Sequence, residues 1–372
     1  MPRLDLVKKT RVIRSPRVIQ LEGMFGMSAE TTSRQQWTVD LPIEKNEWNI
    51  GLIVGPSGCG KTTIARECFK NEIISEFNWY KQKSIIDSFP EEMGIKEITS
   101  LLSSVGFSSP PGWLRPFNAL SNGEQFRVTM ARALAEQSKT VVIDEFTSVV
   151  DRTVAKVGSC AIARAVRKRK QKFVAVSCHF DIIEWLNPDW IYLPATSEFQ
   201  WRSERQSRPP VTLQIINVHR DAWKIFRKHH YLDSTIQKSA NCFLALVDGQ
   251  PAAFTAVIHF PHRQSSSFRE HRTVCLPDFQ GIGIGNALSE FVASLYACRK
   301  KYTSVTGHPA MIQHRAKSKH WQMTREPSSV SRQMGLEKNG KRRLASSNGR
   351  VTAGFLYCGP RHEEEARQFG LI

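Results

Sequence analysis

Nowhere does the chain carry the run of roughly 18 consecutive apolar residues that a membrane-spanning helix requires. The segment from Met1 to Lys9 lacks the apolar core and the small-residue cleavage site of a secretory signal. These absences argue against a channel of the chain's own and make cytoplasmic residence the expectation. The eight cysteines are scattered and include no C-x-x-C pair, which speaks against a zinc ribbon or a disulfide framework and leaves reduced, mostly buried thiols as the expectation. No internal repeat or long low-complexity tract is present. Acidic residues are also in short supply, with 34 aspartates and glutamates against 52 lysines and arginines, a net charge of +18. Such an excess attracts polyanions through a long-range field and counterion release. Nucleic acid is therefore the leading candidate partner, with a merely solvated basic surface as the plain alternative.

What is present is a soluble globular composition, 41% apolar and 23% charged, over 372 residues, more than one compact domain ordinarily holds. Residues 1–195 alternate strand-like and helical runs, the pattern of an α/β sheet flanked by helices. Residues 17–25 and 36–41 read as early strands, and Asn49 to Val54 as a buried strand. Val141-Val142-Ile143 and Phe173-Val174-Ala175-Val176 are the continuous apolar runs expected of parallel strands covered on both faces. Thr196 to Pro210 is polar, holds Pro209-Pro210 and reads as a linker. Residues 211–372 form a second expected domain of α+β type, with a basic C-terminal extension.

The buried strand runs into Gly55-Pro56-Ser57-Gly58-Cys59-Gly60-Lys61-Thr62-Thr63. G-x-x-x-x-G-K-T is a P-loop: glycines let backbone N–H groups surround phosphates, Lys61 supplies a cation and Thr62 a hydroxyl for Mg2+. The following helix adds its positive end. Gly55, Ser57, Gly58, Gly60, Lys61, Thr62 and Thr63 are thus the candidate ATP contacts. Asp144 and Glu145 end the strand after Val141-Val142-Ile143, where ligands of open α/β sheets bind. Asp144 is the candidate partner of Thr62 for the metal, and Glu145 the candidate to polarise the attacking water.

Leu120-Ser121-Asn122-Gly123-Glu124-Gln125 opens a helix, with Ser121 as N-cap and Glu124 closing a capping box. The segment resembles the L-S-G-G-Q signature of ABC ATPases. Ser148-Val149-Val150-Asp151 resembles their D-loop, and Ser177-Cys178-His179 follows a strand as their switch histidine does. The resemblance covers about half the chain. It implies an ABC-type ATPase domain and a head-to-tail homodimer in which Ser121 and Gly123 of one copy meet ATP held by the other. It also gives His179 a catalytic role. The helical insert between Lys61 and Leu120 is short, and Gln82 and Asp87 compete as the Q-loop residue. With no membrane segment, this points to a soluble ATPase acting on nucleic acid, with a separate membrane partner as the alternative.

In the second half, Cys242 to Val247 and Ala252 to Phe260 flank the hairpin signal Asp248-Gly249. Arg272 to Leu276 reads as the strand before Gln280-Gly281-Ile282-Gly283-Ile284-Gly285, and Asn286 to Lys300 as a helix. The Q-x-x-G-x-G pattern resembles the acyl-CoA pyrophosphate loop of GNAT acetyltransferases. That resemblance implies a GNAT-like mixed-sheet domain with acetyl-CoA or another acyl-CoA on Gln280, Gly281, Gly283 and Gly285. A Rossmann site is disfavoured, because antiparallel strands precede the loop and no acid-ended parallel strand follows. His229, His230, Tyr231, Asp278 and His308 are candidates for acid–base work, with base and acid not assigned among them. The His-His-Tyr and Gly-His-Pro segments also resemble, more faintly, phage Mom-like DNA-modification proteins.

Three functions compete on these residues. One is an ATP-driven acyltransferase acting on nucleic acid, with a DNA base favoured over RNA. Another is an ATP-regulated acetyltransferase of protein or small amines. The third is an ATP-gated nucleic-acid scaffold whose GNAT domain only senses CoA.

Overall fold

The computed structural model describes residues 4–11, 13–25, 32–70, 72–74, 77–137, 139–202, 211–230, 235–261, 266–329 and 351–372. Tyr231 and the basic run Lys341-Arg342-Arg343 lie outside them. The fold is mixed α/β, in two compact units that interleave along the chain rather than dividing at residues 195 and 211. One comprises residues 1–77, 137–148 and 166–208, the other 78–136, 149–165 and 209–372.

In the first unit, β1 (Leu4–Arg11) pairs antiparallel with β2 (Thr32–Val39). A six-stranded sheet is built from β3 (Ile50–Val54), β4 (Ile73–Ile74), β5 (Thr140–Ile143), β6 (Lys172–Ser177), β7 (Trp190–Leu193) and β8 (Glu198–Trp201), in the order β4-β5-β6-β3-β7-β8. All pairings are parallel except that of β7 with β8. Every residue of β3 and β5 is buried, as a parallel sheet covered on both faces requires. Ile53, Ile64, Val142 and Val174 share one core cluster.

Two expectations need correcting here. Residues 17–25 are not a strand but part of the helix Pro16–Phe25, started by Pro16 in its first turn and by Ser15, whose hydroxyl accepts from the Val18 amide at 3.4 Å. Part of the expected linker, Glu198–Trp201, pairs with β7, its alternate residues Phe199 and Trp201 packing on the core.

The second unit holds a seven-stranded sheet, β14-β15-β13-β12-β11-β10-β9, from β9 (Gln214–Val218), β10 (Asn241–Val247), β11 (Gln250–Pro261), β12 (Ser266–Cys275), β13 (Tyr302–Thr306), β14 (Trp321–Ser329) and β15 (Val351–Tyr357). Asp248 and Gly249 form the β10–β11 hairpin turn, both with positive φ. The helix Ile284–Tyr296 buries Leu288, Val292 and Leu295 against one sheet face. Among the described residues of this sheet β12 and β13 are the one parallel pair, joined at Phe268–Tyr302 and Arg269–Thr303. Beyond that point the two strands part. The expected strand Arg272 to Leu276 is the diverging half of the longer β12. Residues Arg220–Ala222, Trp223–Phe226 and Arg227–His229 form three short consecutive turns between β9 and β10.

No helix among the described residues is long and apolar enough to cross a membrane. The cysteines form no disulfide, and only Cys68 and Cys242 are buried while Cys178 and Cys358 are exposed, which overturns the expectation of mostly buried thiols.

Candidate functional site

Because β3, β5 and β6 run parallel, their C-terminal ends fall on one edge of the sheet. That edge gathers the glycine loop, Asp144-Glu145 and Ser177-Cys178-His179. Gly58 and Gly60 have φ of 82° and 93°, the left-handed region that a side chain disfavours. Gly60 is further constrained by the Trp37 ring, 2.4 Å from where a Cβ would stand. Trp37 Nε1 donates to the Cys59 carbonyl at 2.9 Å, pinning the loop to β2. The Lys61 ammonium donates to the Pro56 carbonyl at 2.8 Å. Ser57 and Thr63 lie in the same loop and helix start.

Thr62 Oγ1 donates to Asp144 Oδ1 at 3.2 Å, and the Glu145 amide donates to the same oxygen at 3.0 Å. A hydroxyl and a carboxylate at this spacing are the hard oxygen donors that suit Mg2+, which usually takes few protein ligands. Among the described residues no cluster of three or more His, Cys, Asp or Glu is disposed to hold a metal. Glu145 is exposed and itself left-handed, with φ of 55°. The Ser148 amide and hydroxyl both donate to its carbonyl, at 3.0 and 2.7 Å. The His179 amide donates to Ser177 Oγ, whose own proton goes to the Phe146 carbonyl. His179 is thereby tied to the strand end carrying the two acids.

In the second unit the capping box is formed: the Ser121 amide donates to Glu124 Oε2 at 2.9 Å and the Glu124 amide to Ser121 Oγ at 3.4 Å. Ser121 is exposed, whereas Gly123 is buried. A Cβ on Gly123 would lie 3.2 Å from Val154 and 3.6 Å from Asp278 Oδ1.

The Gln280–Gly285 loop leads from β12 into the helix Ile284–Tyr296. Gly281 and Gly283 have φ of 89° and 95°. The loop is gripped by two segments of the same unit, Asn78–Glu136, which carries the signature-like residues, and Val149–Ala165. Arg127 Nη2 donates to the Asp278 carbonyl at 3.0 Å and Arg164 Nη2 to the Gly281 carbonyl at 2.9 Å. The Gln280 side chain accepts from the Ser108 amide at 2.7 Å and donates to the Cys275 carbonyl at 2.9 Å. Buried in these bonds, Gln280 acts as a strut rather than as a side-chain ligand. Arg127 is fully buried, with Nε and Nη1 unpaired, and burial pushes its guanidinium below the ordinary value while Asp278 opposes the shift.

The parted strands and this loop border a cavity of about 350 Å³. His229, His230 and His308 line it, as do Gly281, Gly283 and Gly285. Asp278 does not line it; its carboxyl faces Gly123 on the helix Asn122–Glu136, where burial raises its pKa. Burial lowers the pKa of His229 and of His308. His308 Nε2 lies 2.8 Å from the Ser108 carbonyl, which can only accept, so Nε2 carries the proton. Its Nδ1 is buried and unpaired. His230 packs edge-on against Trp223, ring centroids 5.4 Å apart.

Sequence reasoning missed Glu270, whose buried carboxylate pairs with the buried Arg315 at 2.8 Å. Burial opposes its ionisation, but Arg315 and the hydroxyls of Ser304, Thr273 and Ser289 hold its carboxyl below the usual range. The one available signal was an acid at a core-facing position of a strand. Ser108, Arg127 and Arg164 carried no local signal.

No protein-family model matches the chain. Among curated proteins, it is 26% identical over 148 residues to the spermidine/putrescine import ATP-binding protein PotA of Borrelia garinii, covering 30% of this chain and 42% of that protein. It is 32% identical over 178 residues to the zinc import ATP-binding protein ZnuC of Haemophilus influenzae, covering 42% and 62%. An ABC transporter of Fusarium pseudograminearum is 27% identical over 179 residues, covering 37% of this chain and 14% of that protein. The chain thus spans under half the length of the first curated relatives it matches. Among solved structures, a dimeric bacterial ABC transporter cassette is matched at 15% identity and a TM-score of 0.34, over 45% of this chain and 90% of that one. The curated relatives support an ABC-type ATPase domain within this chain.

Proposed function

We propose that the chain binds and hydrolyses ATP at the Gly55–Thr62 loop and that this cycle controls an acyl-CoA-dependent N-acyltransferase pocket. Its acceptor is nucleic acid, a DNA base in preference to RNA. One observation carries the reading: the segment bearing the signature-like residues also supplies Ser103 and Ser108 to the wall of the cavity that the Gln280–Gly285 loop borders. ATP-dependent engagement of Ser121 then bears on the glycine loop through a single packed body.

On the ATP side, Thr62 and Asp144 would hold Mg2+, which spreads the charge developing on the phosphates. Lys61 adds a mobile cation, Glu145 orients and deprotonates the attacking water, and His179 contacts the terminal phosphate. Two copies pair head to tail, the exposed Ser121 of each facing nucleotide on the other. On the acyl side, the backbone N–H groups of Gly281 to Gly285 and the helix that follows form an anion cradle. His229 and His230, on the cavity wall, are the candidates to take the acceptor's proton as its nitrogen attacks the thioester and CoA departs as the thiolate, and burial keeps His229 apt to be a neutral base.

Mass spectrometry of nucleosides from cells with and without the protein tests the reading, and a new acylated nucleoside is expected. Label from acetyl-CoA recovered only on protein or on a small amine reassigns the acceptor. A second reading, an ATP-gated scaffold that senses acyl-CoA without turning it over, draws support from His308, whose two ring nitrogens are bonded or buried. Any acyl transfer by purified protein defeats it.

A further inference from the structure

Strand alternation and register divide the second unit's sheet into two faces. Phe268, Tyr302, Phe355 and Trp321 point into the core shared with the helix Ile284–Tyr296. The alternate residues stand on the opposite face. Arg269 is paired with Thr303 and Thr303 with Leu356, while Val305 is paired with Gly354 and Gly354 with Arg325. On β11, Ile258 is paired with Arg269, and Phe260 stands two residues further along. Phe260 is 38% exposed and Val305 39%.

Positive charge is concentrated on this face. The Arg269 guanidinium lies 4.9 Å from the centre of the Phe260 ring. Arg325 donates to Thr352 Oγ1 at 2.7 Å. Among the described residues neither arginine forms an ion pair with an acid, and Glu326, next to Arg325, pairs with neither. Burial, then the charge of Arg325, pushes the Arg269 guanidinium below its ordinary value, so each charge works against the other. Lys300 and Lys301 are exposed beside the start of the same strands, where the Phe268 amide donates to the Lys301 carbonyl at 2.9 Å. Two like charges held together without a counter-charge are unfavourable unless an anion joins them. A ring beside cations adds a stacking surface for an unpaired base. At its other end the face reaches Val305, which also lines the cavity.

We infer that the part of this face left uncovered by the Trp223–Phe226 cluster over Phe254, Ala256 and Val274, running from Phe260 and Arg269 to Arg325 and Val305, is a track for single-stranded DNA, with phosphates on Arg269 and Arg325 and an unstacked base on Phe260, leading to the cavity at Val305. The inference rests on the nucleic-acid part of the proposed function and names the surface that would receive the acceptor. A duplex hides its base faces and would make no use of an exposed ring.

The test is fluorescence anisotropy of the full chain with labelled oligonucleotides across a salt series, without ATP or acyl-CoA. The unmodified protein should bind single-stranded DNA more tightly than a duplex or RNA of the same sequence. Replacing both arginines, Arg269→Ala with Arg325→Ala, should weaken binding at least tenfold. It should also flatten the salt dependence of log K by about 1.4, because each of the two phosphates left without its arginine accounts for about 0.7 of the slope. Phe260→Ala should weaken binding roughly tenfold and leave the slope unchanged. The charge-keeping pair Arg269→Lys with Arg325→Lys should retain the slope, separating lost charge from lost folding. Unchanged binding in the double alanine variant, or a preference for duplex or RNA, overturns the track. Acyl-CoA binding and acyl transfer, measured separately, report on the proposed transferase. Its failure would leave an intact DNA track standing, and the reverse holds.

Discussion

Glu145 sits where three local demands meet. It follows a buried strand, its backbone is left-handed at φ 55°, and its amide is spent on the neighbouring Asp144. A non-glycine residue persists there only when its surroundings over-determine it, and Ser148 supplies two bonds to its carbonyl. The side chain is left exposed. Glu145→Gln keeps the shape and removes the proposed base, so ATP binding should persist while phosphate release falls by about 10²- to 10⁴-fold. Parallel nucleotide-binding and phosphate-release assays check this. Glu290 makes a second residue-scale case. Its carboxylate accepts from His314, Ser318, Trp321 and His320. The hydrogen bond from His314 leads in bringing its pKa down from 4.5 to about 2. A carboxylate depressed by folding contributes stability that is full above its unfolded pKa and is lost as pH falls through the folded one. The thermal midpoints of the native protein and Glu290→Gln should therefore differ most above pH 4.5 and converge near pH 2.

At the scale of elements, two loops meet where only glycine fits. Gly106 and Gly281 both have positive φ, and a Cβ on Gly281 would stand 2.4 Å from the Gly106 Cα. The obstacle is backbone, which cannot swing aside. Gly281→Ala should cost about 1–3 kcal/mol in chemical denaturation and weaken acyl-CoA binding by calorimetry, with nucleotide binding at Lys61 retained. Ser121→Ala, which removes the N-cap, should cost about 1 kcal/mol. The same elements show what was legible in the sequence. The glycine loop after β3 and the Ser121–Glu124 box are local patterns, each decided by residues within a few positions, and both form. The glycine loop at Gln280 was legible as a strand-to-helix loop, but the work of Gln280 was not. Its partner Ser108 lies 172 residues away, and that of His308 lies 200 residues away. No periodicity reports a partner at such separation. Residues 17–25 misled because Val18, Ile19 and Leu21 suit a strand, while the decisive signals, Pro16 and Ser15, lay just outside the window.

At the scale of the whole molecule, the interleaving of the chain decides which pieces can stand alone. A division at residue 211 follows composition, but the second unit also takes residues 78–136 and 149–165. Cutting at 211 would strip Gln280 of the Ser108 amide, His308 of the Ser108 carbonyl, and the Asp278 and Gly281 carbonyls of Arg127 and Arg164. Some of these groups would find water, but Val157, which packs in the same core as Phe243 and Leu288, would be removed outright and leave apolar surface exposed. The fragment 211–372 should therefore lack the cooperative unfolding transition of the full chain and bind a hydrophobic dye that the full chain does not. Supplying residues 78–165 in the same polypeptide, through a short linker replacing the strand-bearing segment 166–208, should restore part of that cooperativity. A fragment 211–372 that unfolds cooperatively, with acyl-CoA affinity equal to that of the full chain, would show that the glycine loop needs no support from the signature-bearing segment. The route by which ATP is proposed to act on the pocket would then have to be abandoned.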